Sequence, residues 1–166
     1  MRKPIKVLFV CTGNSARSQM AEGFARHFGG EQIEAHSAGV EPSRLNPVAV
    51  AVMQEKGIDI SGHRSKAFDW DLARQMDVVV TVCGHANESC PVLPPEVKRL
   101  HWPLEDPAAA QGTDAEKLAK FQEIRDQIEA RIVVLESRGM DERSSRNLFS
   151  FWGPGTMTLA DRGRSA

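Results

Sequence analysis

Tyrosine is absent from this chain, and cysteine occurs only three times in 166 residues. No apolar run reaches the roughly 18 to 20 residues that a membrane span requires. The basic start, Met1 to Lys3, leads into one strand-length apolar stretch, Ile5 to Cys11. A secretory signal has a longer apolar region and a small-residue cleavage site. The sequence therefore reads as cytosolic, with no membrane association. An excess of one charge is lacking too: 21 Lys+Arg against 22 Asp+Glu give a formal net charge of -1. That balance offers no ground for nucleic-acid binding, and no acidic run suggests a charged tail.

Three is an odd number of cysteines. In a reducing compartment, thiols are more often catalytic or metal-binding than structural. Cys11, Cys83 and Cys90 are therefore candidates for chemistry, against the alternative of three inert buried thiols.

What is present is ordinary for a globular domain: 41% hydrophobic and 26% charged residues. Strand and helix patterns alternate. Ile5–Val10, Ile33–Ala38, Asp77–Val82 and Val97–Trp102 read as strands. Arg17–Phe28 has helical spacing closed by Gly29 and Gly30. Pro47–Lys56 follows a capping Asn46 and ends at Gly57. Ala67–Met76 is a weaker helical pattern, Cys83–Pro95 reads as irregular, and Ala115–Arg138 is a long amphipathic helix. The alternation predicts an α/β domain, small and doubly wound, with a four-stranded parallel sheet flanked by helices. The division is a catalytic domain over 1–140 and a C-terminal tail of uncertain order over 141–166, the latter rich in Arg, Ser and Gly.

The segment Cys11-Thr12-Gly13-Asn14-Ser15-Ala16-Arg17-Ser18 lies between a predicted strand and a predicted helix. A loop there aims backbone N–H groups inward, and the helix start adds partial positive charge, so it suits a tetrahedral oxyanion. Thr12, Gly13, Asn14, Ser15 and Ala16 would line it, and the Arg17 guanidinium can clamp two oxygens at once. The same donors favour Cys11 as a thiolate poised to attack the anion's central atom. Ser18 is placed to donate its hydroxyl to that sulfur. Asn14 is expected to fix the loop by side-chain hydrogen bonds, and Gly13 to supply an unusual backbone angle. The bland alternative is an ordinary strand-to-helix turn with a buried cysteine.

The run VCTGNSARSQMAEG resembles the anion loop of low-molecular-weight tyrosine phosphatases and of the arsenate reductases that share their fold. Its extension through Gln19, Met20, Ala21 and Glu22 resembles the reductases in particular. The segment TVCGHANESCPVLPP is similar to the redox-loop region of thioredoxin-coupled arsenate reductases. A parallel strand delivers Cys83 to the same sheet edge as the anion loop. The resemblance then implies a relay. Cys11 takes up arsenic, Cys83 attacks the Cys11 sulfur and releases arsenite, and Cys90 attacks Cys83 to leave a Cys83–Cys90 disulfide for thioredoxin. No tightly bound cofactor is implied. The cysteine spacing matches no common zinc pattern.

An isolated Asp-Pro is usually just a turn. The stretch HWPLEDPAAAQGT resembles the family's acid-bearing segment, which implies Asp106 as the general acid, with Glu105 as its solvent-facing neighbour. Some relatives hold potassium beside the loop with an Asn, a Glu, a Ser and two later residues. Asn14, Glu22 and Ser37 match, but the last two positions fall on Arg64 and Lys66. Those basic residues put the potassium site in doubt: one of them could place its charge where the cation would sit, with Glu22 as partner, or both are exposed surface charges. A further departure is Ala16, where many relatives carry another cysteine.

Three readings follow. The first is arsenate reduction with thioredoxin as electron donor. The second is a low-molecular-weight protein-tyrosine phosphatase using Cys11, Arg17 and Asp106. It leaves Cys83 and Cys90 unexplained, and such phosphatases usually have aromatic residues after the Asp-Pro, where this chain has none. The third is a thiol sensor or oxyanion-binding module that does not turn over.

Overall fold

The computed structural model describes residues 3–90 and 92–141. Four strands form one parallel sheet in the order β2-β1-β3-β4: β1 Ile5–Cys11, β2 Ile33–Gly39, β3 Val78–Thr81 and β4 Lys98–His101. β1 and β3 are central, and Val7, Leu8, Phe9, Val10, Val79 and Val80 are fully buried. Strands covered on both faces read as continuous apolar runs, which is the pattern of IKVLFV and VVVT. β4 lies at an edge and exposes Lys98, Arg99 and His101, charges that discourage edge-to-edge pairing.

The chain leaves β1 for β2 on one side and then crosses to β3 on the other. The reversal opens a crevice at the carboxyl ends of β1 and β3, where ligands of open α/β sheets bind. Cys11 ends β1, and Cys83 lies two residues beyond β3.

The helices are α1 Arg17–Gly29, α2 Pro47–Gln54, α3 Trp70–Arg74, α4 Gly84–Ser89 and α5 Asp114–Asp141. α1 and α5 pack together, with Phe24 and Met20 of α1 and Ile124, Ile128 and Ile132 of α5 in the core. α2 starts as expected: the Asn46 side chain accepts from the Val48 N–H at 2.8 Å, with Pro47 in the first turn. Gly30 and Gly57 take left-handed φ values of 53° and 74° after the first two helices. Buried Arg125 of α5 donates to the Val52 carbonyl and to Glu55, tying α5 to α2.

Two expectations need correction. The helix expected over Ala67–Met76 is confined to Trp70–Arg74, because Ala67 bridges to Gly39 and Asp69 caps the helix through the Asp71 and Leu72 amides. The stretch Cys83–Pro95, read as irregular, contains α4. GHANES has no apolar periodicity to announce a helix, and its cap is a cysteine sulfur that accepts the Ala86 N–H at 3.3 Å. The expected tail beyond residue 141 lies outside the described residues. Among the described residues, no helix is long and apolar enough to cross a membrane.

Candidate active site

The loop from Cys11 to Ala16 is built by its outward carbonyls. Those of Cys11, Thr12, Gly13 and Ser15 accept from the backbone N–H groups of Val40, Glu41, Ser43 and Asn46, at 2.9 to 3.1 Å. In a trans peptide, C=O and the following N–H point in opposite directions. The N–H groups of Thr12, Gly13, Asn14 and Ala16 are therefore turned away from the 40–46 segment, toward the concave side. Among the described residues, the one directed at a protein atom is that of Asn14, which donates to the Cys11 sulfur at 3.2 Å. The Gly13 carbonyl also accepts from the Ser65 hydroxyl at 2.8 Å. α1 begins at once with Ala16 as its N-cap, no side-chain cap and no acid in the first turn. Its free amide ends face the loop, as anion sites require.

The left-handed residue is Asn14, with φ 48°, and not Gly13. Asn tolerates this conformation better than most side chains. Fully buried, Asn14 also holds the site together. Its amide donates to the Ser18 hydroxyl at 2.8 Å. That leaves the Ser18 hydrogen for the Cys11 sulfur, 2.7 Å away. On the far side, the Asn14 carbonyl oxygen accepts from Gln19 at 3.0 Å and from the Lys66 amide at 2.8 Å.

Arg17 lies nearly buried, with its guanidinium donating to the Leu104 carbonyl at 3.0 Å and standing 3.9 Å from Asp106. Asp106 thus reaches the anion loop through Arg17. Its other oxygen accepts the Ala108 N–H at 3.0 Å and caps the short 3-10 turn Pro107–Ala109. Glu105 pairs with Lys120 of α5 at 2.9 Å, anchoring this segment from behind.

Cys83 comes to the same mouth. Its sulfur lies in a hydrogen bond 3.3 Å from the Thr12 hydroxyl, on the rim of the loop that holds Cys11. All three cysteines are buried free thiols. Cys90 is the C-cap of α4, while Cys83 is its N-cap. Burial pushes the Cys90 thiol up, against the opposing pull of Arg99. Arg99 clasps the end of α4, donating to the Cys90 carbonyl at 3.3 Å and to the Asn87 carbonyl. His85 pairs with Glu41 at 3.5 Å across the rim.

Several contributors escaped the sequence reading. A Cβ on Gly39 would lie 2.6 Å from the Thr12 carbonyl oxygen and 2.8 Å from the Asn14 nitrogen. Only glycine lets the loop seat on the end of β2. Gln19 was visible in SQMAEG, but its bridging from Asn14 to the Arg64 carbonyl was not. Ser43 and Ser65 gave no sequence signal at all.

With this geometry in place, residues 6–144 match the family described as Low molecular weight phosphotyrosine protein phosphatase. The chain belongs to that family. Within it, the chain is 52% identical to the arsenate reductase of Bacillus subtilis (strain 168) over 126 residues, which are 76% of this chain and 91% of that protein. A solved arsenate reductase in the phosphate binding state superposes with a TM-score of 0.65 at 41% identity, covering 81% of this chain and 98% of the other. A thioredoxin-dependent arsenate reductase of Corynebacterium glutamicum gives a TM-score of 0.70 at 30% identity, covering 86% of this chain and 66% of that one.

Glu22 and Ser37, two of the positions that match the potassium site of some relatives, meet a basic side chain here. Glu22 is 2% exposed, and its carboxylate meets the Ser37 hydroxyl at 3.3 Å. Between them the Lys66 ammonium reaches in, 3.8 Å from Glu22, 3.4 Å from the Ser37 hydroxyl and 2.9 Å from the Arg64 carbonyl. Of the two basic residues, Lys66 brings its ammonium here from a side chain 44% exposed, and Arg64 contributes its backbone oxygen.

Proposed function

We propose that this protein reduces arsenate to arsenite by a relay through Cys11, Cys83 and Cys90, and that thioredoxin regenerates it in the cytosol. The observation that carries this reading is the Cys83 sulfur 3.3 Å from Thr12. A second thiol stands on the rim of an anion loop that already contains one. Hydrolysis has no use for it, whereas a reduction needs two electrons from somewhere.

In the first step the oxyanion lies on the inward amides, α1 and Arg17. The Cys11 thiolate attacks arsenic, an As–S bond forms, and a hydroxide leaves as water with a proton from Asp106. In the second, the Cys83 thiolate attacks the Cys11 sulfur. The S–As bond breaks with its electron pair going to arsenic, which departs as arsenite, and a Cys11–Cys83 disulfide remains. In the third, the Cys90 thiolate attacks the Cys83 sulfur and Cys11 leaves as thiolate. The dithiol of thioredoxin then takes over the oxidation, becoming a disulfide itself. Ser18 and Asn14 hold the Cys11 sulfur throughout.

The test is arsenite formation with NADPH, thioredoxin reductase and thioredoxin. The wild type is expected to turn over steadily and Cys11→Ser to form none. Arsenite formation by Cys11→Ser would remove the loop from the reaction. A second reading as a phosphatase is favoured by Arg17 beside Asp106, which with Cys11 suffices for a phosphate ester. Slow hydrolysis of an aryl phosphate, unaffected by Cys90→Ser, is the expected side activity.

A further inference from the structure

We propose that the Lys66 ammonium acts as a built-in monovalent cation, a positioning residue that sets the anion loop from below without touching substrate. Glu22 is a buried carboxylate, and a buried charge must be compensated. Around it stand Arg26 at 3.6 Å, His63 at 3.0 Å, Ser37 and Lys66. His63 Nδ1 is also 3.0 Å from the Gln19 side-chain oxygen. Both neighbours of that nitrogen accept, so it carries the hydrogen. Arg26 approaches from an exposed position one helical turn along α1. Lys66, with a side chain 44% exposed, brings its ammonium toward three oxygens: the Glu22 carboxylate at 3.8 Å, the Ser37 hydroxyl at 3.4 Å and the Arg64 carbonyl at 2.9 Å. That set of hard oxygens around one positive charge is what a weakly hydrated alkali cation takes.

The link to the loop is short. The Arg64 carbonyl that receives the ammonium also receives the Gln19 amide, 2.9 Å away. Gln19 in turn donates to both oxygens of Asn14, and the Lys66 backbone N–H donates to the Asn14 side chain. Asn14 then holds Ser18 and, through its own N–H, the Cys11 sulfur. Fixing residues 64–66 against Glu22 therefore fixes the left-handed residue of the loop. Because the charge is covalently tethered, this protein needs no potassium, and removal of the lysine side chain should open a place for it.

The unfolding temperature of the full-length reduced protein tests this without reference to the reductase reading. It is measured in potassium, sodium and tetramethylammonium chloride at equal ionic strength. The wild type should unfold at the same temperature in all three. Lys66→Ala should fall by more than about 3 °C in tetramethylammonium chloride and recover at least half of the loss in potassium chloride. Should that variant not fold, Lys66→Gln takes its place. In Glu22→Gln/Lys66→Ala, where no buried charge asks for a cation, the potassium effect should vanish. A potassium-specific rise in the wild type would overturn the proposal. So would a variant with no potassium-specific recovery, or a potassium effect that persists in the double variant.

Discussion

Cys83 and Cys90 cap opposite ends of the same helix, α4. Seven residues at 1.5 Å rise separate their Cα atoms by about 10 Å, whereas a disulfide needs them within about 7 Å. The two thiols cannot join while α4 is intact. Oxidation is therefore expected to unwind residues 84–89. Amide hydrogen exchange across that segment should speed up in the oxidised protein, and a disulfide formed with its protection unchanged would count against the relay.

The third step depends on the Cys90 thiolate. Burial raises this thiol above its ordinary range and Arg99 works the other way. A raised value means less thiolate at neutral pH. Alkylation of Cys90 in a Cys11→Ser/Cys83→Ser background should therefore be slow at neutrality and climb as pH rises beyond the midpoint of a free thiol, about 8.5. Arg99→Leu should move that climb to still higher pH. An unmoved profile would mean that Arg99 acts only as a clasp.

Asp106 combines a turn cap with its proposed proton. Asn in its place keeps an oxygen to accept the Ala108 N–H, so Asp106→Asn isolates the chemistry. The rate of arsenite formation should fall roughly 100- to 10,000-fold with the unfolding temperature unchanged. A full rate would transfer the acid's role elsewhere.

Asn14 serves through both backbone and side chain. Asn14→Ala loses the buried hydrogen bonds and also strains the left-handed backbone, where Asn14→Gly loses only the bonds. Urea denaturation should show the alanine variant less stable than glycine by about 1 kcal/mol. Equal stabilities would indicate that the loop relaxes out of the left-handed region.

The elements that carry a strong period were legible. IKVLFV and DVVVTV announce central strands by their unbroken apolar character. Asn46-Pro47 and Gly57 punctuate a helix by their own backbone preferences. The anion loop was readable because its residues are contiguous, and Cys83 because a parallel strand must end where the loop begins. α4 was not, since a six-residue polar helix capped by sulfur has no periodic signature. The support beneath the loop was also hidden. Gly39, Ser43 and Ser65 reach it only through tertiary approach, and no spacing within the chain encodes that. Gly13 drew attention as the glycine of the turn. The backbone instead placed its left-handed angle one residue later, on the side chain that could also bind Ser18, Gln19 and Lys66.

The most direct measurement is the number of arsenite molecules formed per protein by Cys90→Ser, with thioredoxin, thioredoxin reductase and NADPH in excess. Without Cys90 the Cys11–Cys83 disulfide has no thiol within the chain to release it. The relay predicts about one arsenite per molecule and then arrest, with the wild type continuing at a steady rate. Sustained turnover by Cys90→Ser at the wild-type rate would contradict it.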